Sequence, residues 1–287
     1  MNTKFFWGLV AAVAGLASSG TALATGPLRA SEGIGFYVGV DGLATVASGT
    51  FAGLVNPNAG RLTMLLDHGD HFHSIGAYSL RGTAAAPVVA ATNANNRLPE
   101  LYSRTSADRS AIALTAGTGA LAGRWASAVL PASAPTHDYS FLGAASIQSL
   151  PGLMTPEADV LYASSRNRWS GVRSDVTVAL KLEGITNGLK VAVGSDTDVF
   201  SGGIGSLFVL GSSDQLSFMP AFHVAGDAAP GVYTAQFSLV NLGSNDAVKS
   251  GGTFFYDFGV SPVPEPHTAM LLLAGLGFVA LRRRQSH

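Results

Sequence analysis

From residue 168 to residue 260 apolar and polar side chains alternate with a period of two. In "GVRSDVTVALKLEGIT", Val176, Val178, Leu180 and Leu182 fall on one face and Thr177, Ala179 and Lys181 on the other. "LKVAVGS", "GSLFVLGS", "LSFMPAFHVAG", "GVYTAQFSLVNL" and "GTFFYDFGV" follow at intervals set by Gly, Asn and Asp. Alternation with punctuated spacing predicts half-buried strands joined by turns. The earlier part repeats the pattern less cleanly, in "GFYVGVDGLATV", "RLTMLLDHG", "HFHSIGAYSL" and "SAIALTAGTGALAG". "APVVAATNANNRLPELY" reads as a long loop with a strand fragment, and one helix is expected within 138–167. The class is mainly β: an antiparallel β-sandwich of immunoglobulin-like or jelly-roll-like kind. Two β subdomains are expected, a His-containing one over 25–165 and an immunoglobulin-like one over 166–260.

The two ends break the pattern. Lys4, an apolar run and the small residues Ala22 and Ala24 predict a signal peptide over 1–24, cut by signal peptidase after Ala24. At the other end, 261–287 opens on a Pro-rich spacer containing Pro264, Glu265 and Pro266. An apolar run over 269–281 follows, then Arg282, Arg283 and Arg284. As a helix that run is about 20 Å long, at about 1.5 Å per residue, against a bilayer core of about 30 Å. It reads as a short transmembrane stop whose arginines stay on the cytoplasmic side. This three-part tail resembles the PEP-CTERM sorting signal of Gram-negative envelope proteins. The resemblance implies recognition by an exosortase, removal of the tail, and delivery to the outer surface or extracellular matrix.

Composition then narrows the chemistry. Of 17 basic and 18 acidic residues, the two end segments hold four and one, leaving −4 between them. No clustered basic face marks a nucleic-acid partner. There is no cysteine, so disulfides, thiolate metal sites and cysteine nucleophiles are excluded.

Three of the seven histidines stand in "DHGDHFH". If "HFHSIGAYSL" is a strand, His71 and His73 share a face and Phe72 enters the core. His68, across the Gly69-Asp70 turn, offers a third nitrogen. Asp67 and Asp70 are alternative ligands or acceptors that orient the rings. His137, beside Asp138, and His223 are the further candidates to complete a site. A set of imidazoles and carboxylates suits zinc best, with copper(II) or nickel(II) acceptable. The mature chain is also similar to zinc-regulated (Zur-repressed) PEP-CTERM surface proteins. The likeness lies in "DHGDHFHSIGAY", "TNANNRLPELY" and "PAFHVAGDAAPGVYTAQFSLVNL", and it implies zinc at His68, His71 and His73.

Catalysis has little support. Glu32, Glu100, Glu157 and Glu183 are the only glutamates between the two signals, and none adjoins a histidine. No H-E-x-x-H, G-x-S-x-G or phosphate-cradling Gly loop appears. "SDTDVFSGG", with Asp196 and Asp198, lacks the closing Glu of a calcium loop and reads as a turn. "SRNRWSGVRSD" reads as a linker, with stacking of Trp169 on a sugar ring as the alternative. The expectation is an exported, non-enzymatic zinc-binding protein. The alternative is an adhesive matrix protein that binds exopolysaccharide or its own copies and has no functional metal.

Overall fold

The computed structural model describes residues 27–91, 96–100, 111–128, 137–164, 168–212 and 215–261. The expected signal peptide with Ala22 and Ala24, and the sorting tail with its apolar run, lie outside them. Among the described residues no helix is long and apolar enough to cross a membrane. The chain is mainly β, 46% strand and 12% helix, in a sandwich-like arrangement.

The first part of the chain supplies β1 (Ile34–Asp41), β2 (Leu62–Asp67), β3 (Phe72–Ile75), β4 (Ser79–Thr83), β5 (Ala86–Ala90), β6 (Arg97–Leu98), β7 (Ile112–Ala116) and β8 (Arg124–Ser127). The short helix α1 (His137–Ser140), β9 (Gly143–Ser146), α2 (Pro156–Ala163) and β10 (Trp169–Ser170) follow. The last part holds β11 (Val178–Ile185), β12 (Lys190–Val193), β13 (Leu207–Gly211), β14 (Ser217–Phe218), β15 (Pro220–Ala225), β16 (Gly231–Asn241) and β17 (Thr253–Val260).

These strands form two main sheets and one separate hairpin, β4–β5. The smaller main sheet runs β14-β9-β1-β2-β3, with β10 also on β1. The larger runs β12-β15-β8-β7-β17-β16-β11-β13, with β6 also on β17. One apolar core lies between them, holding Phe36, Val38, Leu62, Met64 and Leu66 from one sheet and Leu180, Phe237, Phe254, Tyr256 and Phe258 from the other. Phe36 meets Tyr256 edge-on across it, with ring centroids 5.8 Å apart. The period-two pattern is visible in the burial: Val178, Leu180 and Leu182 of β11 all enter this core.

β1 and β2 are buried along their whole lengths, because their other face is covered as well. There Tyr37 and Leu65 pack with Ile147, Leu150, Trp169 and, from α2, Ala158 and Leu161. α2 starts where Thr155 caps it, its hydroxyl accepting from the amide of Ala158 at 3.3 Å, with Pro156 in the first turn. Strands covered on both sides read as near-continuous apolar runs, as "IGFYVGV" and "LTMLL" do.

Two departures from the sequence reading bear on the site. The sheets are not purely antiparallel: β9 runs parallel to β1, and β6 and β7 run parallel to β17. The expected division at 165/166 also cuts through shared structure. β6, β7 and β8 precede it yet join the sheet of β15 and β17, and the main core draws on both sides. The apolar faces of the two halves have each other as their cover, and strand-by-strand periodicity carries no information about that pairing.

Asn96 ties the start of β6 to the smaller sheet. Its buried amide oxygen accepts from the backbone amides of Gly76 (2.9 Å) and Ala77 (3.2 Å), and its nitrogen donates to the Ala77 carbonyl (2.9 Å). Asn96→Ala leaves three backbone groups without this partner and is expected to cost about 2–3 kcal/mol, read from the denaturant midpoint. A loss below about 0.5 kcal/mol, the size of an ordinary surface change, contradicts this role.

Candidate metal centre

The histidine cluster is the tip of the β2–β3 hairpin. Asp67 ends β2 opposite Phe72, and Leu66 stands opposite His73. Between them Gly69 takes φ 87°, a conformation that favours glycine. The amide of His68 closes the turn on the His71 carbonyl at 3.0 Å. The carboxylate of Asp67 is fully buried and is spent on backbone: it accepts from the amides of Gly69 (2.7 Å) and Leu28 (2.9 Å). Burial raises its pKa, and those two amides pull it back. Asp67 therefore shapes the turn.

His71 lies in the turn, just before β3, while Phe72 packs edge-on against Tyr37 with centroids 5.9 Å apart. The Nδ1 of His71 donates to Asp70 Oδ1 at 2.6 Å, with both side chains about half exposed. That hydrogen bond lowers the pKa of Asp70. His73 Nδ1 donates inward to both oxygens of Glu100, at 2.9 and 3.0 Å. The Nε2 atoms of His71 and His73 face each other at 3.1 Å. The ring of His68 stacks on that of His71 and tilts against that of His73, with centroids 5.4 and 4.2 Å away.

Glu100 comes from the other sheet. The parallel pairing of β6 with β17, Arg97 opposite Phe255 and Leu98 opposite Tyr256, carries the chain to the hairpin tip. The Glu100 side chain is 0% exposed. Besides His73 it meets His68 Nε2 at 3.5 Å and the hydroxyl of Tyr139, which donates at 3.5 Å from α1. His68 Nε2 is buried and has no hydrogen-bond partner among the described residues. One donor atom from each of His68, His73 and Glu100 fits within 4.8 Å of the others. Two imidazoles and a carboxylate in that compass match the donor set of zinc and of related borderline cations.

Sequence reasoning missed Glu100. It stands 27 positions from His73, and adjacency was the criterion applied to the glutamates. The available signal was chemical: in "RLPELY" a single carboxylate sits among apolar neighbours, where an unpaired charge is costly.

The other expected residues divide. His137 and Asp138 open α1, two positions and one before Tyr139, and their side chains lie outside the described structure. His223 is not brought to the cluster. It is buried on β15, where Nε2 donates to the Thr197 carbonyl at 2.8 Å and Nδ1 accepts from Arg124 at 3.2 Å. Both ring nitrogens are occupied, so neither offers a lone pair to a metal. Trp169 is 5% exposed and packs in the second core under the guanidinium of Arg168, 4.4 Å from its ring centre. Arg168 is itself held by Asp41 at 2.5 and 3.0 Å, so this pair presents no open ring for a sugar. Asp196 caps a turn through the amide of Asp198 at 2.9 Å, and Asp198 pairs with Lys190 at 3.0 Å.

Comparison with known proteins adds an address. Residues 262–285 match the PEP-CTERM protein-sorting motif. The motif implies processing by an exosortase during export and sorting to the bacterial cell surface. No curated protein matches the chain, and no solved structure does.

His223 gives a pH prediction. Burial lowers its pKa below the ordinary 6.5, so as pH falls through 6.5 the unfolded chain binds a proton that the folded chain resists. Its contribution to stability is present above that value and declines on acidification. His223→Gln keeps one donor and one acceptor. Denaturant midpoints at pH 7 and pH 5 should show a smaller loss for the variant than for the native chain, and an equal loss contradicts the assignment.

Proposed function

We propose that this is an exported envelope protein that binds zinc through the hairpin-tip histidines and acts without catalysis, in storage, delivery or structural use of the metal. The observation that carries the reading is a fully buried Glu100 carboxylate faced by His73 and His68, with His68 Nε2 lacking a hydrogen-bond partner among the described residues. A cation bound among these imidazoles places positive charge beside the buried carboxylate. The likeness of "DHGDHFH" to zinc-regulated surface proteins supports the same metal. Glu100 is occupied by imidazole and phenol groups, which argues against its acting as general base on a metal-bound water. Delivery to the outer surface or matrix of a Gram-negative cell, by signal peptidase and exosortase, completes the reading.

Isothermal titration of the purified chain with zinc tests it. Uptake is expected at micromolar dissociation constant or tighter, with a matching rise in melting temperature, since a ligand bound only by the folded state adds to stability. His73→Ala should weaken binding by more than about 100-fold, beyond the usual cost of losing an outer partner. Tyr139 brings the backbone of α1 beside Glu100, so His137→Ala is expected to weaken binding and His223→Ala to leave it unchanged. No uptake, or uptake untouched by His73→Ala, overturns the proposal.

A further inference from the structure

The geometry points to a specific division of labour within this site, and the inference rests on the metal-binding reading above. We infer that the metal is held on the Nε2 side of His71 and His73, and that Glu100 and Asp70 are positioning residues and not ligands. His71 Nδ1 lies 2.6 Å from Asp70 Oδ1, and His73 Nδ1 lies 2.9 and 3.0 Å from the two oxygens of Glu100. A carboxylate oxygen at such a distance accepts, so each Nδ1 carries the hydrogen. A neutral imidazole with hydrogen on Nδ1 has its lone pair on Nε2.

The two Nε2 lone pairs are aimed at each other across 3.1 Å. Two acceptors at that separation repel unless a cation lies between them. The gap also matches a metal: with Zn–N bonds of about 2.0–2.1 Å, neighbouring nitrogens of a tetrahedral centre lie about 3.3 Å apart. His68 stacks on the ring of His71 and lies close to that of His73, while its own Nε2 is 3.5 Å from Glu100 Oε2. Each carboxylate then does what outer partners of metal-bound histidines do, fixing the tautomer and the ring plane. Glu100 does this from the buried side and Asp70 from the solvent side.

The division makes the two carboxylates unequal. Glu100 follows the strand laid on the second sheet and is fully buried, whereas Asp70 is on the exposed turn.

Two-bond nitrogen–proton NMR correlation of the histidine rings in the full chain, with and without zinc, reads which nitrogen is metallated. Both His71 and His73 are expected to bind through Nε2 and to keep the Nδ1 hydrogen. Glu100→Gln, with fold checked by circular dichroism, should weaken zinc about 10–100-fold and keep the Nε2 pattern. Metallation of His73 at Nδ1, no change at the His71 ring on zinc binding, or complete loss of binding in a folded Glu100→Gln chain overturns this inference and leaves the zinc reading standing. Absence of any zinc-induced ring change overturns both.

Discussion

The hydrogen bonds from His73 to the buried carboxylate of Glu100, at 2.9 and 3.0 Å, hold the two sheets together at the point where the chain's chemistry is concentrated. A carboxylate out of contact with water loses its hydration and must recover it from donors or from positive charge, or give up its ionisation. Glu100 has imidazoles and a phenol for this purpose, drawn from the β2–β3 hairpin and from α1. These contacts converge on one carboxylate, so the arrangement is one unit rather than a set of separate contacts.

The rest of the fold serves to keep that unit in place. β1 and β2 are packed on both faces, so the hairpin that extends from β2 has a rigid base. Phe72 is anchored against Tyr37 in one core while His73, the next residue, faces the other way toward Glu100. On the opposite side, β6 lies on β17, whose alternate residues Phe254, Tyr256 and Phe258 fill the main core. Asn96 fastens the beginning of β6 to the end of β3. The site thus sits where two independently packed strands end, and neither sheet alone could supply it.

Much of this was legible in the sequence, for definite reasons. Alternation in "VTVALKL" places Val178, Leu180 and Leu182 inward whatever the neighbouring strands are, because side-chain period is a local property. "DHGDHFH" announced a turn with converging imidazoles, since Gly69 permits it and the histidines are close in sequence. What was hidden depended on pairing at long range. Parallel contacts of β6 and β7 with β17 bring Glu100 to the hairpin and erase the boundary at 165/166, and no local pattern encodes them. His223 and Trp169 looked available for chemistry until burial and hydrogen bonding showed both committed: His223 to Thr197 and Arg124, Trp169 to the core beneath Arg168.

Anomalous diffraction at the zinc absorption edge, from crystals of the zinc-loaded protein, locates the metal relative to the hairpin tip. One strong peak is expected about 2.0–2.1 Å from Nε2 of His71 and of His73, with Glu100 still bonded to His73 Nδ1. A peak coordinated by His223, or no peak at the hairpin in a protein that has taken up zinc, contradicts it.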